Sequence, residues 1–381
     1  MIDTAREVPT TQDALGAAKD LARHLKARAA DADERGEFLP ADVEALKTSG
    51  LLGLSVPREV GGWGASLETT LAALLELSQG STSAALVAAM TLHIVGRERE
   101  LKSWSPGARE TVFRAVAAGA LVNSAASEPR LGSPSRGGLP DSYAERSADG
   151  YVLNGHKNWV TGGEHLAYLL VRVRLSSEAA VFWLSADTPG LRWERTWGNG
   201  LSLRASDSHD LYFENVELSE GQLLPSAPPL PLVWFPLSMA AVYLGTGLAA
   251  RNDAIRYALE RTPTALGKPI ATLPGIQRQI GDIDVALKAA RTLLLNVAAG
   301  WTGTENEAER AAFTAEVAAA KHLAVETALQ VTDKALRLVG AAGIDKGLAL
   351  ERYFRDARAG LLHPPSGDTA LESVGRSALG L

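Results

Sequence analysis

The chain has 381 residues, 46% hydrophobic and 22% charged, which excludes a disulfide mini-scaffold, a collagen-like repeat or a disordered acidic tail and allows roughly two or three domains with their own cores. Lys and Arg number 38 against 44 Asp and Glu, a formal charge of −6, with no extended basic cluster, so neither nucleic acid nor an anionic membrane surface is expected as a partner. Cysteine is absent; this removes disulfides, thiolate metal sites and cysteine nucleophiles, and redox chemistry here requires a bound cofactor.

Met1 to Glu7 carries acids and no apolar signal-peptide core, and no window approaches the about eighteen uninterrupted apolar residues of a membrane span. A soluble, cytoplasmic protein is expected. From about Ala14 to Ala118 the chain is Ala- and Leu-rich with helical spacing, broken at Leu39-Pro40, Gly50 to Gly53, Val56-Pro57 and Gly61 to Gly64. Pro40 suits a first helical turn, with Asp42 and Glu44 at the positive end of the helix. An all-α N-terminal domain is predicted over 1–120.

Short β-branched or alternating runs follow: Ala144 to Ser147, Tyr151 to Leu153, Tyr168 to Val173, Ala180 to Leu184 and Asp210 to Phe213. Asp149-Gly150, Asn154-Gly155 and Gly162-Gly163 read as turns between them. A small antiparallel β domain is predicted over 121–228, with the proline-rich stretch Pro225 to Pro236 as its boundary. In the remaining 229–381, Ile276, Ile280, Ile283, Leu287, Ala290, Leu294 and Val297 form one helical stripe. Val317, Ala320, Ala324, Val331, Ala335 and Leu338 form a second, with small side chains that allow close approach. A C-terminal four-helix bundle is predicted, so the fold class is mainly α with a β domain.

Four motifs in that order resemble the acyl-CoA dehydrogenase superfamily along essentially the whole chain. Leu39-Pro40 through Gly50-Leu51-Leu52-Gly53 to Gly61-Gly62-Trp63-Gly64 is similar to the family's N-terminal helix pair and reads as scaffold. Ser127-Glu128-Pro129-Arg130-Leu131-Gly132-Ser133 resembles the flavin loop Thr-Glu-Pro-x-x-Gly-Ser-Asp, with Pro134 in place of the last Asp. Asn154-Gly155-His156-Lys157-Asn158-Trp159-Val160-Thr161 resembles Asn-Gly-x-Lys-x-Trp-Ile-Thr. Leu338 to Gly343 resembles a glycine loop that receives the pyrophosphate of FAD from a neighbouring subunit, although a helix-ending glycine explains it equally. Glu351-Arg352 with Arg355-Asp356-Ala357-Arg358 completes the match.

The resemblance implies FAD as cofactor and a homo-oligomer, tetramer or dimer. It implies cofactor contacts from Ser124, Ala126, Ser127, Ser133, Trp159, Val160, Thr161, Arg261, Gly340, Gly343 and Ser366. Donors along the Ser124 to Ser127 edge suit a ring that gathers negative charge on reduction. Trp159 is expected over the flavin face, with core packing as the alternative, and Thr161 at N5. The activity implied is oxidation of an acyl substrate such as a CoA thioester, with electrons passed to another flavoprotein.

The sequence departs from that pattern. Counting on from Arg355 to Arg358, Pro364 stands where most members carry the glutamate base, and the stretch Trp234 to Ala240, which supplies it in a minority, has no acid. Asp368 is the best remaining carboxylate, with a helix N-cap as its other reading; Glu372 reads as solvated surface. The adenine-side motif after Arg261 is longer than usual, and Pro274 stands where the family has Gln. Arg355-Asp356-Ala357-Arg358 continuing to Leu362-His363-Pro364-Pro365 also resembles the superfamily's flavin monooxygenase branch. There His363 is expected to meet the substrate or the activated flavin, with a flavin reductase as partner, its other reading being a histidine at a helix C-terminus. A degenerate member that binds flavin or acyl-CoA without turnover is the third alternative. The remaining histidines show no metal-ligand spacing, so no metal site is expected.

Overall fold

The computed structural model describes residues 10–131, 137–226, 232–301 and 307–381, the side chains of 307–311 excepted. Helix α1 (Thr11–Arg35) opens with a capping box in which the Thr10 hydroxyl accepts from the Asp13 N–H and the Asp13 carboxylate accepts from the Thr10 N–H, satisfying two of the otherwise orphaned donors. Helix α2 (Pro40–Thr48) starts on Pro40 as the sequence predicts. Short 3-10 turns at Leu51–Gly53 and Arg58–Val60 fill the glycine-rich breaks before α3 (Leu67–Ser78), α4 (Thr82–Leu101) and α5 (Pro106–Ala117).

The chain then enters a sheet of β1 (Leu121–Ala125), β2 (Tyr143–Arg146), β3 (Tyr151–Val160), β4 (Leu166–Leu175), β5 (Glu178–Ser185), β6 (Leu191–Glu194), β7 (His209–Leu218) and β8 (Leu223–Leu224). The order is β6-β7-β3-β2-β4-β5-β8, with β1 beside β4. The pairing is antiparallel as expected except that β1 and β2 both run parallel to β4. A second difference is that Asn154-Gly155 is no turn. It lies inside β3, where the register slips between Leu153 and Gly155. Gly155 has φ +152°, and a Cβ there would sit 2.3 Å from the Ser142 side chain; a bulge needs glycine at that point for the same reasons a turn would.

Helices α6 (Trp234–Glu260), α7 (Pro274–Ala299), α8 (Glu307–Val339), α9 (Leu350–Ala357) and α10 (Gly367–Leu379) complete the chain. The expected interdomain junction near residue 228 lies outside the described residues. The predicted α7 stripe buries Ile283, Leu287, Ala290, Leu294 and Val297, and all six small or branched positions expected on α8 are buried. Each fully buried leucine contributes about 2 kcal/mol by removal of apolar area from water. At Gly96 a Cβ would come 2.4 Å from the Trp234 ring, so glycine lets α6 enter closely against α4. The indole N–H of Trp234 and that of Trp301 both donate to Glu100, at 2.8 and 2.9 Å.

Helix α9 ties distant parts together. The Leu203 N–H donates to the Asp356 carboxylate at 2.7 Å, and the Arg355 guanidinium donates to Asp33 on α1 at 2.7 Å. Among the described residues no helix is long and apolar enough to cross a membrane.

Candidate active site

The last residues of β3 are irregular. The register with β7 slips again between Lys157 and Val160, and Trp159 takes a left-handed φ of 57°, a conformation costly for a bulky side chain and held only by its surroundings. The indole is 61% exposed. Core packing is therefore overturned for Trp159: a bulge turns the ring off the sheet while its neighbour Val160 is buried opposite His209.

The loop after β1 lies against this bulge. The Asn158 N–H donates to the Ser127 carbonyl at 3.2 Å. Asn123 donates its amide to the Thr161 carbonyl at 2.8 Å and accepts the Ser124 N–H at 2.6 Å. Thr161 is buried, its hydroxyl 2.9 Å from that of Ser208, which in turn lies 2.8 Å from Ser206. Ser124, Ala126 and Ser127 are half-buried, and the Asn158 side-chain oxygen is buried without a partner. The structure thus brings Ser124, Ala126 and Ser127 beside Trp159, Val160 and Thr161. Ser133 lies outside the described residues.

An ion pair joins the two segments from beneath. The fully buried Lys157 ammonium donates to Glu128, whose carboxylate also accepts the N–H groups of Asp141 and Ser142. Burial pushes the Glu128 carboxyl up, but the bonds from Lys157, Ser142 and Asp141 together hold it below its ordinary value. Sequence reasoning missed this pair, although each motif supplies one of the two charges.

A second cluster is built by α4, the start of α6 and the loop before α10; α4 also runs beside β1, the Thr91 hydroxyl accepting the Val122 N–H at 2.9 Å. His93 meets Phe235 edge-on at 4.9 Å, and the His363 ring lies 6.1 Å from Phe235 and 5.6 Å from Tyr243. His363 Nδ1 is 3.0 Å from the Tyr243 hydroxyl and 3.2 Å from the Ala359 carbonyl. Burial, and then the Lys321 ammonium, push the His363 pKa down to about 4; burial, and then Arg97, push that of His93 to about 3. Both rings are neutral near pH 7. His363 Nε2 has no hydrogen-bond partner among the described residues.

Lys321 holds the His363 loop. Its ammonium donates to the carbonyls of Gly360, His363 and Pro365 at 3.1, 2.9 and 2.9 Å. Burial lowers its pKa to about 8. Neither His93 nor Lys321 was singled out from sequence; the only signal was a polar residue inside an apolar helical stretch.

Asp368 is exposed and sits inside the first turn of α10, whose N-cap is Ser366. The N-cap expected of Asp368 therefore falls to the residue two positions earlier, because the helix begins at Gly367, and the Ser366 hydroxyl lies 3.0 Å from that of Thr369. Glu372 is likewise exposed. Arg261 is exposed just past the end of α6, about 40 Å along the helix axis from the Trp234 end. Gly340 ends α8 with φ +72°, and Gly343 is buried in the turn that follows. All three lie toward the Arg261 end of α6, where Tyr257 and Ala258 pack with Leu338 and Ala342. Among the described residues no group of three or more His, Asp or Glu is placed to hold a metal ion.

Residues 12–109, 123–216 and 232–369 match the N-terminal, middle and C-terminal domains of acyl-CoA dehydrogenase. A putative acyl-CoA dehydrogenase of Bacillus subtilis, YdbM, is 34% identical over 364 residues, spanning 94% of each chain. The chain belongs to the acyl-CoA dehydrogenase family. Butyryl-CoA dehydrogenase of Megasphaera elsdenii shares its fold, with a TM-score of 0.85 at 22% identity over 100% of both chains. The methanesulfinate monooxygenase MsuC of Pseudomonas fluorescens superposes with a TM-score of 0.86 at 25% identity, over 96% of each chain.

Proteins of the acyl-CoA dehydrogenase family bind flavin, as FAD or FMN, and membership supports an oxidoreductase. The residues present fit such a group. An exposed indole on a strained bulge, a buried Asn158 oxygen without a partner and the half-buried Ser124 to Ser127 edge meet at one place.

Proposed function

We propose that this family member is a flavin-dependent monooxygenase acting on a small molecule, with reduced flavin delivered by a reductase and O2 as co-substrate. The observation that carries the reading is the loop before α10: His363 presents an open Nε2, Pro364 follows it, and Asp368 is turned to solvent. Abstraction of an α-proton from an acyl thioester requires a base at the reacting carbon, and this loop offers no carboxylate for it. In oxygen transfer one atom of O2 enters the substrate and the other leaves as water, the two electrons being drawn from bound reduced flavin.

The chain's own residues then have definite parts. Ser124, Ala126, Ser127, Trp159, Val160 and Thr161 hold the ring side of the flavin. Gly340 and Gly343 receive its pyrophosphate from a neighbouring subunit of a homo-oligomer, Arg261 serves the adenine side, and Ser366 adds a further cofactor contact. His363 Nε2 hydrogen-bonds the substrate, and Phe235 with His93 keeps water from the reacting atoms. A cytoplasmic setting suits a reductase-fed enzyme.

A second reading, oxidation of an acyl thioester with electrons passed to another flavoprotein, is favoured by the Trp159-Val160-Thr161 form of the flavin motif. In that case Asp368 is the base. The experiment that decides loads the protein with FAD or FMN and compares two assays. Oxygen uptake dependent on substrate, reductase and NADH supports the monooxygenase. Anaerobic bleaching of the flavin by acyl-CoA overturns it in favour of the dehydrogenase, and silence in both, with flavin bound, indicates a binder without turnover.

A further inference from the structure

One cation beside this cluster has no ion-paired or hydrogen-bonded partner among the described residues. Arg97 stands on α4 one turn after His93, on the same helical face, and is half-buried. Its Nε is buried without a hydrogen-bond partner, and no carboxylate among the described residues lies within ion-pair distance of its guanidinium. Its neighbours on the helix make the contrast plain: Arg99 donates to the Ala65 carbonyl at 2.8 Å and lies over the Trp234 ring, and Glu98 is paired with Arg109. Burial lowers the Arg97 pKa, with Glu98 opposing.

A guanidinium cannot relieve burial by losing its proton, and an unpaired buried donor is costly. Its planar fork of donors matches a carboxylate or a sulfur oxyanion. We propose that Arg97 is the anion-binding residue of the active site, and that the substrate is a small organic molecule carrying an oxyanion group, carboxylate, sulfinate or sulfonate. The anion lies against Arg97, and the apolar remainder of the molecule runs along Phe235 toward His363, since His93, Phe235 and His363 form a continuous row. This assignment of substrate class rests on the oxygen-transfer reading of the site.

The test is calorimetric titration of the flavin-loaded protein with propane-1-sulfinate, propane-1-sulfonate, butanoate and the neutral butanamide. At least one oxyanion is expected to bind about tenfold or more tightly than butanamide, and the sulfur and carboxylate arms identify which. Arg97→Met should abolish that preference and Arg97→Lys recover part of it. Equal binding of butanamide, binding of none of the four, or unchanged anion affinity in Arg97→Met overturns the proposal. The comparison of anion with amide in the unsubstituted protein needs no variant to fold. Arg97-dependent anion binding without oxygen uptake sinks the monooxygenase reading alone; oxygenation of a neutral substrate with no anion preference sinks the anion site alone.

Discussion

The Lys157 ammonium meets the Glu128 carboxylate in the interior of the sheet, joining the strand that carries Trp159 to the loop that carries Ser127. Removing one partner leaves a buried charge without compensation, whereas replacing both with apolar groups of similar volume is far less harmful. Lys157→Met is therefore expected to destabilise the protein by about 3–5 kcal/mol, and Lys157→Met with Glu128→Leu by much less. Urea unfolding of the two variants against the parent checks this; equal losses in both would count against the pair.

Trp159 spends its side chain on no core contact. Trp159→Ala is expected to leave stability within about 0.5 kcal/mol of the parent while weakening flavin binding about tenfold, the loss of one stacked ring. Thermal melts paired with a flavin titration separate the two effects, and a large drop in melting temperature would mean the ring is structural after all.

His363 and Asp368 are separated by only a few residues and are predicted to differ completely. His363→Ala should cut turnover at least about a hundredfold, within the range for a positioned polar group in a site. Asp368→Ala should leave it within about twofold, as for an exposed surface change. With His93 and His363 held at about 3 and about 4, neither changes charge between pH 5 and 8. A rate profile that breaks near 6.5 and loses the break in His363→Ala would contradict this.

Lys321 is predicted to act through His363. Its three bonds to loop carbonyls need the protonated amine, so the rate should fall as pH rises through about 8. Lys321→Met should be slow at every pH and lack that limb. If the limb persists in the variant, another group causes it.

Asp356 carries a pH dependence of stability. Burial raises its pKa from 3.8 to about 6, with the Leu203 N–H opposing and Asp33 adding to the rise. Folding therefore takes up a proton between these values: the contribution is complete below about 4 and is lost as pH rises through about 6. Asp356→Asn keeps an acceptor for the Leu203 N–H, and its unfolding free energy should change less between pH 4 and 7 than the parent's. Parallel curves would rule out Asp356 as the source.

Much of the architecture was legible because it rests on local periodicity. The α7 and α8 stripes are read directly from apolar spacing, and the strand runs from alternation. Asn154-Gly155 misled because a glycine at positive φ serves a bulge as well as a turn, and only the pairing partner Ser142 distinguishes them. Half of the site was legible as well, since Ser124 to Ser127 and Trp159 to Thr161 lie in contiguous motifs. The cluster of His93, Phe235, Tyr243, Lys321 and His363 was not. It draws on four separate stretches, and nothing in a lone histidine or lysine on a helix says which distant residue it will face.

The attachments of α9 bear on how the chain reaches its native state. Arg355 grips Asp33 across 322 residues and Asp356 grips Leu203 across 153, so one short helix near the C-terminus fastens both the first helix and the connection between β6 and β7. Such contacts form only after very long loops have closed, which slows assembly and makes it cooperative. Severing the chain early, during synthesis or by a protease, would leave the first helix and the 201–203 segment without their final fastening, and the three regions would loosen together rather than one at a time.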